Sequence, residues 1–346
     1  MKKLVIKLTI LILVFPFFNL VFKVIGDINP TDKNKEITFV SILDAPSKEK
    51  FQLIENYLER NFPLRNWLIQ KYNYFLWFVL DSSPKRRVVK GNDNWIFVFL
   101  GKGLNGRDYS FDEKEFLEYR NGLDRMNAFC IKNDILFYTA VVPEKFNIYS
   151  EYLKVQDKAT IKRDKYFRIY DDTVRNKRNT VFFHEELYEA KSRNKVYYKT
   201  DTHWNENGAF VSSKKLVSVI KQDFPAVEVL NQNNFEILHR ESSGKDIGEF
   251  LSLARYLKDE EFSYVPKKKS GDPPNKLRIL VIHDSYFYAM KPFFDLSFFQ
   301  VDTFNFVQNE TTEALQELLK HKPDIVLFIT LERHIGNFDQ RIYGIF

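Results

Sequence analysis

Three nearly unbroken apolar runs of strand length constrain this chain more than any other feature: residues 134–142 (DILFYTAVV), 277–282 (LRILVI) and 324–330 (DIVLFIT). A strand with one wet face alternates polar and apolar residues. A run without alternation is covered on both faces, as in a parallel sheet flanked by helices. The segments between the runs supply such helices. Phe116, Tyr119, Leu123, Met126 and Cys130 repeat at 3,4,3,4 spacing, and further helices are expected over about 205–221 and 313–321. Shorter apolar runs at 181–184 (VFFH) and 301–306 add two strands. This order predicts an α/β fold, a parallel sheet with helices on both faces. No repeat of fixed period exists, which excludes solenoids and propellers.

Around this sheet, residues 88–89 and 95–99 flank the turn-forming Gly91-Asn92-Asp93-Asn94 and predict a hairpin. Residues 48–81 carry apolar side chains at helical spacing (Phe51, Ile54, Leu58, then Leu64, Leu68, Tyr72, Phe75), so two helices joined by a bend near Asn61-Phe62-Pro63 are expected. The cluster Trp67, Tyr74, Trp77 and Phe78 reads as core rather than as a membrane-facing surface.

The N-terminus is a targeting segment. Lys2, Lys3 and Lys7 precede an apolar stretch, and the span from Leu4 to Ile25 approaches the ~20 residues that cross a bilayer as a helix, with Lys7 and Lys23 snorkelling. Val24-Ile25-Gly26 lacks the small-x-small pattern of a cleavage site, so an uncleaved anchor is favoured over a signal peptide. The lysines ahead of the span place the N-terminus in the cytoplasm. The expected organisation is an anchor at 1–26, a linker at 27–47 and a catalytic domain at 48–346, including a helical and hairpin extension. The whole is a single-pass protein of the cell membrane with its catalytic domain extracytoplasmic, in the periplasm or at the cell surface.

Composition narrows the function. The 34 Phe, 18 Tyr and 4 Trp exclude a largely disordered chain, and the single Cys130 excludes a disulfide framework or a Cys-rich zinc module. The balance of 52 Lys+Arg against 46 Asp+Glu is scattered, with no basic, aromatic-interleaved run, so no nucleic-acid partner is expected.

Ligands of open parallel sheets collect beyond the carboxyl ends of the strands. Asp284-Ser285 follows the run at 277–282, and Asp201-Thr202-His203-Trp204 immediately precedes a helix. A serine hydroxyl needs a base to take its proton and a carboxylate to orient that base. Ser285, His203 and Asp201 are that minimum set for acyl transfer, with backbone N–H groups at the turn near Ser285 to hold an oxyanion. Taken singly each has an ordinary reading: Ser285 as a helix N-cap, Asp201 as a turn former, His203 as a hydrogen-bonded surface residue. Lys145, Tyr198, Trp204 and Arg333 are weaker candidates for contacting substrate. Lys145 stands at a strand end, Tyr198 and Trp204 flank the Asp-x-His pair, and Arg333 is by default ion-paired. His283 has no carboxylate two residues away and is less suited than His203. A zinc site of Asp201, His203 and His283 matches no named motif, and neither metal nor cofactor is expected.

The strings VVKGNDNWIF (88–97), VVPEKFNIYSEYL (141–153), VYYKTDTHWNENGA (196–209), GKDIGEFLSL (244–253) and ILVIHDSY (279–286), with Glu332-Arg333 after the last strand, occur in one order. Together they resemble the alginate O-acetyltransferase family, whose catalytic domain is SGNH-hydrolase-like. The resemblance spans about 50–335 and is most specific at D-T-H-W followed by D-S. It implies Ser285 as nucleophile, His203 as base and Asp201 as its orienting carboxylate. It also implies an extracytoplasmic enzyme that places acetyl groups on hydroxyls of an exported polysaccharide, supplied by a membrane-bound O-acyltransferase. A carbohydrate acetylesterase with the same triad and a non-catalytic polysaccharide-binding subunit of an export complex are the alternatives. No additional carbohydrate-binding module is expected before Phe346, and separate Gly and Asn oxyanion blocks are not identifiable.

Overall fold

The structure, a computed structural model, describes residues 46–61, 65–110, 112–162, 164–176, 179–267, 275–308, 311–335 and 344–346, with isolated positions at Ile6, Lys7, Ile10, Val14 and Pro273. Nearly all of the expected anchor and of the linker lies outside the described residues. Among the described residues no helix is long and apolar enough to cross a membrane.

The chain divides into two compact units, Met1–Lys85 with Gly248–Tyr256, and Arg86–Ile247 with Leu257–Phe346. The first contains α1 (Ser47–Asn61) and α2 (Arg65–Tyr74), followed by a π-helical turn at Phe75–Val79. There Asn73 donates its side-chain amide to the Leu251 carbonyl at 2.7 Å, and Tyr74 meets Tyr256 edge-on. The aromatic cluster expected as core is only partly so. Trp77 is buried, but Tyr74 and Phe78 remain exposed and Trp67 is half-buried. Phe78 sits inside the π turn, closed by Leu80 N–H to the Phe75 carbonyl at 3.1 Å, whose i→i+5 spacing displaces it from the face that a 3.6-residue period projects.

The second unit holds the sheet. Its remaining labelled elements in chain order are β1 (Val88–Lys90), β2 (Ile96–Val98), α3 (Glu113–Lys132), β3 (Leu136–Val142), α4 (Lys145–Ile148), α5 (Asp164–Asn176), β4 (Thr180–Phe182), α6 (His184–Ala190), α7 (Glu206–Asp223), β5 (Phe235–Ser243), β6 (Lys258–Pro266), β7 (Arg278–His283), α8 (Lys291–Ser297), β8 (Gln300–Asn305), α9 (Thr312–Lys320) and β9 (Ile325–Leu331). The expected strands form one five-stranded sheet in the order β4-β3-β9-β7-β8, parallel throughout. The expected hairpin is β1–β2, antiparallel, with Val89 opposite Phe97.

Both faces of the sheet are covered, as continuous apolar runs require. Ile279 and Val281 of β7 and Leu327 of β9 pack in one core with Leu187 of α6, Leu216 of α7 and Phe294 of α8. Their neighbours Leu280, Ile282 and Phe328 point to the opposite core, with Leu123 and Met126 of α3, Ile169 of α5 and Leu315 of α9. Local signals set the helix ends. Asp112 and Glu115 form a capping box at the start of α3, and the Asn205 side chain accepts from Gly208 N–H at the start of α7. Gly208 is required there because a Cβ would lie 2.2 Å from the Val196 carbonyl oxygen.

Helices α4, α5 and α6 escape sequence reading, and so does the antiparallel hairpin β5–β6, whose register places His239 opposite Phe262 and whose connection carries the GKDIGEF string.

Candidate active site

The three central strands β3, β9 and β7 deliver their carboxyl ends side by side, and each is followed within two residues by a carboxylate: Glu144, Glu332 and Asp284. This is where an open sheet collects its ligand. Ser285 opens a 3₁₀ turn, Ser285–Ala289, that is capped by the Asp284 carboxylate accepting from Tyr286 N–H at 3.0 Å.

The D-T-H-W segment reaches this turn through interlocking contacts. The Trp204 indole N–H donates to the Tyr286 carbonyl at 3.0 Å, the Tyr286 hydroxyl donates to the Thr202 carbonyl at 2.5 Å, and the two rings meet edge to face at 5.4 Å. That lock brings together side chains 82 positions apart in sequence. Ser285 Oγ lies 2.8 Å from His203 Nε2, and His203 Nδ1 lies 2.7 Å from Asp201 Oδ1. With the ring proton on Nδ1, the imidazole donates to Asp201 and accepts from the serine hydroxyl.

Three further groups hold the segment. The Lys145 ammonium donates to the carbonyls of Tyr198 (3.2 Å), Lys199 (3.1 Å) and Asp201 (2.6 Å). From β6, the Asp259 carboxylate accepts from the backbone N–H of Lys199 and Thr200 and from the Thr200 hydroxyl at 2.6 Å. From the β5–β6 connection, Asp246 accepts from Thr202 N–H and from its hydroxyl, both at 3.1 Å. Every peptide from 198 to 202 therefore has a fixed partner, which pre-organises His203.

The electrostatics follow from these contacts. Burial opposes ionisation of Asp201, but its bonds to His203 outweigh burial and hold the carboxyl at about 2. Burial likewise works against protonated His203, and Asp201 overcomes it, so the imidazole titrates above its ordinary value. Asp246 is pushed up to about 6 by burial and by the neighbouring Asp201 charge. Burial lowers Lys145 to about 8.

The cleft beside the serine has a volume of about 620 Å³ and is walled by Tyr198, Tyr264, Tyr288, Pro292, Phe293 and Leu296 around Ser285 and His203. Tyr198 lines this cleft. Trp204 borders it too but is buried to 1% exposure, its indole bonded to the Tyr286 carbonyl, so the expected stacking on a sugar ring is corrected to an interior bond. Lys145 is also buried, its ammonium turned to carbonyls. Arg333 donates from Nη1 to both Glu144 carboxylate oxygens, at 3.2 and 3.0 Å, the ion pair expected by default. His283 is buried at the end of β7, with Nδ1 against the Asp284 carbonyl. The backbone expected to hold an oxyanion is narrowed, because Tyr286 N–H is committed to Asp284. The adjacent backbone donor is then Ser285 N–H itself.

Asp201, His203 and Asp246 bring three potential metal-ligand atoms within 4.8 Å. They do not suit a metal, because both ring nitrogens of His203 are already engaged, with Asp201 and with Ser285. Sequence reasoning missed Asp246 and Asp259 as site residues. The only signal was the position of Asp246 inside GKDIGEF.

Comparison with known proteins bears on the fold and the family. The chain is 25% identical over 232 residues to the probable alginate O-acetylase AlgJ of Pseudomonas syringae pv. tomato, covering 63% of this chain and 55% of that protein. It is 25% identical over 177 residues to the protein of the same name from Pseudomonas putida, covering 49% and 42% respectively. The chain thus spans about half the length of the curated relatives it matches. Two solved structures share the fold. The O-acetyltransferase domain of Pseudomonas putida AlgJ superposes with a TM-score of 0.51 at 18% identity, covering 74% of this chain and 97% of that one. Bacillus cereus PatB1 superposes with a TM-score of 0.57 at 15% identity, covering 74% and 98%. The profile described as SGNH hydrolase-like domain, acetyltransferase AlgX, matches residues 88–270, a segment that contains Asp201, His203 and Asp246 and stops short of Ser285. With more than half of its length matched, the chain belongs to the AlgX family of SGNH hydrolase-like acetyltransferase domains.

Proposed function

We propose that this protein is an extracytoplasmic O-acetyltransferase that acetylates hydroxyls of an exported polysaccharide through an acetyl-serine intermediate. The observation that carries the reading is the unbroken chain Asp201–His203–Ser285, 2.7 and 2.8 Å per link, opening on a cleft rimmed by Tyr198, Tyr264 and Tyr288. Aromatic rims suit the apolar faces of sugar rings. Membership of an acetyltransferase family and likeness to proteins named alginate O-acetylase support the group transferred and the class of acceptor. The apolar segment at 4–25 would hold the catalytic unit at the outer face of the cell membrane, and a membrane-bound O-acyltransferase would supply the acetyl group.

In the first half-reaction Ser285 Oγ attacks the acetyl carbonyl while its proton passes to His203 Nε2. Asp201 stabilises the imidazolium, and the Ser285 N–H faces the developing oxyanion. The C–O or C–S bond to the donor breaks, the leaving group takes the proton from His203, and acetyl-Ser285 remains. A sugar hydroxyl then loses its proton to His203 and attacks the acetyl carbonyl, and Ser285 departs with that proton. Ser285→Ala against a chromogenic acetyl ester with an oligosaccharide acceptor is the test. Undiminished turnover would eliminate the mechanism. In the parent protein, acetyl-sugar as the product supports transfer, whereas free acetate alone would make the protein an esterase.

A further inference from the structure

The Asp–His–Ser chain has a second carboxyl group on its Asp side. Asp246 lies on the β5–β6 connection, 43 positions beyond His203, and bonds Thr202 through both of its oxygens. Its Oδ2 approaches His203 Nδ1 to 3.9 Å, and its carboxyl lies within 4.8 Å of that of Asp201. Thr202 Oγ1 in turn lies 3.3 Å from Nδ1. Two carboxylates this close repel, which favours a proton on one of them. We propose that Asp246 is a positioning residue for the acyl-transfer reaction. It fixes the Thr202 peptide and sets, through its charge beside Asp201 and His203, the pH below which His203 ceases to act as a base. The inference rests on the proposed Ser285–His203–Asp201 chemistry and adds a fourth group to it.

The surroundings permit this role. Asp246 faces Asp201 and His203 directly. Lys145, which feels the Asp246 charge, is turned onto backbone carbonyls, Asp259 is occupied by Lys199 and Thr200, the adjacent Lys245 is paired with Glu261, and Arg333, whose charge opposes protonation of His203, is paired with Glu144. The Asp246 side chain is half-exposed, so it exchanges protons with solvent while Asp201 stays in place. Burial and the Asp201 charge hold its proton to about 6, close to the range in which the imidazole titrates. The three groups therefore titrate as a unit. Ionised Asp246 favours imidazolium, so removing that charge lowers the pH at which His203 takes up a proton.

The test is kcat/KM for a chromogenic acetyl ester across pH, in the full-length parent, in Asp246→Asn and in Asp246→Ala. Asp246→Asn keeps an acceptor for Thr202 N–H and removes the charge. Its acid limb is expected to move down by about one pH unit, with a plateau loss under about tenfold. Asp246→Ala loses the Thr202 bonds as well, and is expected to show the same shift with a deeper fall in kcat. An acid limb unmoved in Asp246→Asn, or a loss equal at every pH, overturns the inference and leaves the serine mechanism standing. Absence of ester turnover in the parent, together with no labelling of Ser285 by a sulfonyl fluoride, overturns the reading on which it rests.

Discussion

Asp201–His203 and Asp284–His334 are both aspartate–histidine pairs at the carboxyl end of the sheet, 2.7 and 2.9 Å across, and they differ in what else each partner touches. Asp284 is fully buried and also accepts from the backbone N–H of Tyr286 and of Leu331, tying the end of β7 to the end of β9. Its donors pull its carboxyl below the ordinary range against the penalty of burial. It behaves as a staple. Asp201 spends its oxygen on one residue, accepting from both the ring and the backbone N–H of His203, and that ring presents its other nitrogen to Ser285 in an open cleft. The lesson is that an Asp–His pair signals chemistry only when the second ring nitrogen meets a reactive group that solvent and substrate can reach.

The sharpest break of this comparison is Ser285→Ala, expected to lower ester turnover by at least about 10³-fold with an unchanged Tm. Asp201→Asn comes next, with a loss of about 10²–10⁴ in kcat, since the imidazole loses the partner that fixes its tautomer. In Asp284→Asn the order of effects should invert. Two backbone donors and His334 lose a buried carboxylate, so stability falls by about 1–3 kcal/mol in denaturant melts while the folded fraction keeps kcat within about tenfold. A catalytic collapse in Asp284→Asn without a fall in stability would erase the distinction. Lys145→Met strips three carbonyls of their donor and is expected to lower both Tm and kcat while leaving KM nearly unchanged, because the ammonium does not face the cleft. Tyr198→Ala should give the smallest effect, a rise in KM of a few fold with kcat retained.

The pH dependence sharpens the contrast further. Reaction requires neutral His203, whose pKa lies above 6.5, so kcat/KM should fall as pH drops through that raised value. For stability the signs oppose. Asp201 is lowered from 3.8 to about 2 on folding, so its contribution is complete above about 4 and lost on acidification through 2. His203 is raised, so its contribution is complete below 6.5 and lost as pH rises through the folded value. Melts of Asp201→Asn against the parent across this range check both signs.

What the residues alone determined is what short-range periodicity can carry. Unalternating apolar runs predict the three central strands and shorter segments the two flanking ones, 3,4 spacing predicts α3, and a Gly-Asn-Asp-Asn turn predicts β1–β2, because each signal sits within one element. The residue types of the site were legible for the same reason, as D-T-H-W and D-S at the ends of predicted elements. The β5–β6 hairpin was not, since little besides Phe235 and Phe262 is buried along it and no apolar alternation marks it. Asp246 and Asp259 were lost with it. Tertiary structure alone decided that Trp204 faces the core, that Lys145 serves carbonyls and that Arg333 pairs with Glu144, because burial and pairing depend on neighbours far away in sequence. It also decided the meeting of His203 with Ser285. The Trp204–Tyr286 lock sets that distance, and no pattern within either string encodes it.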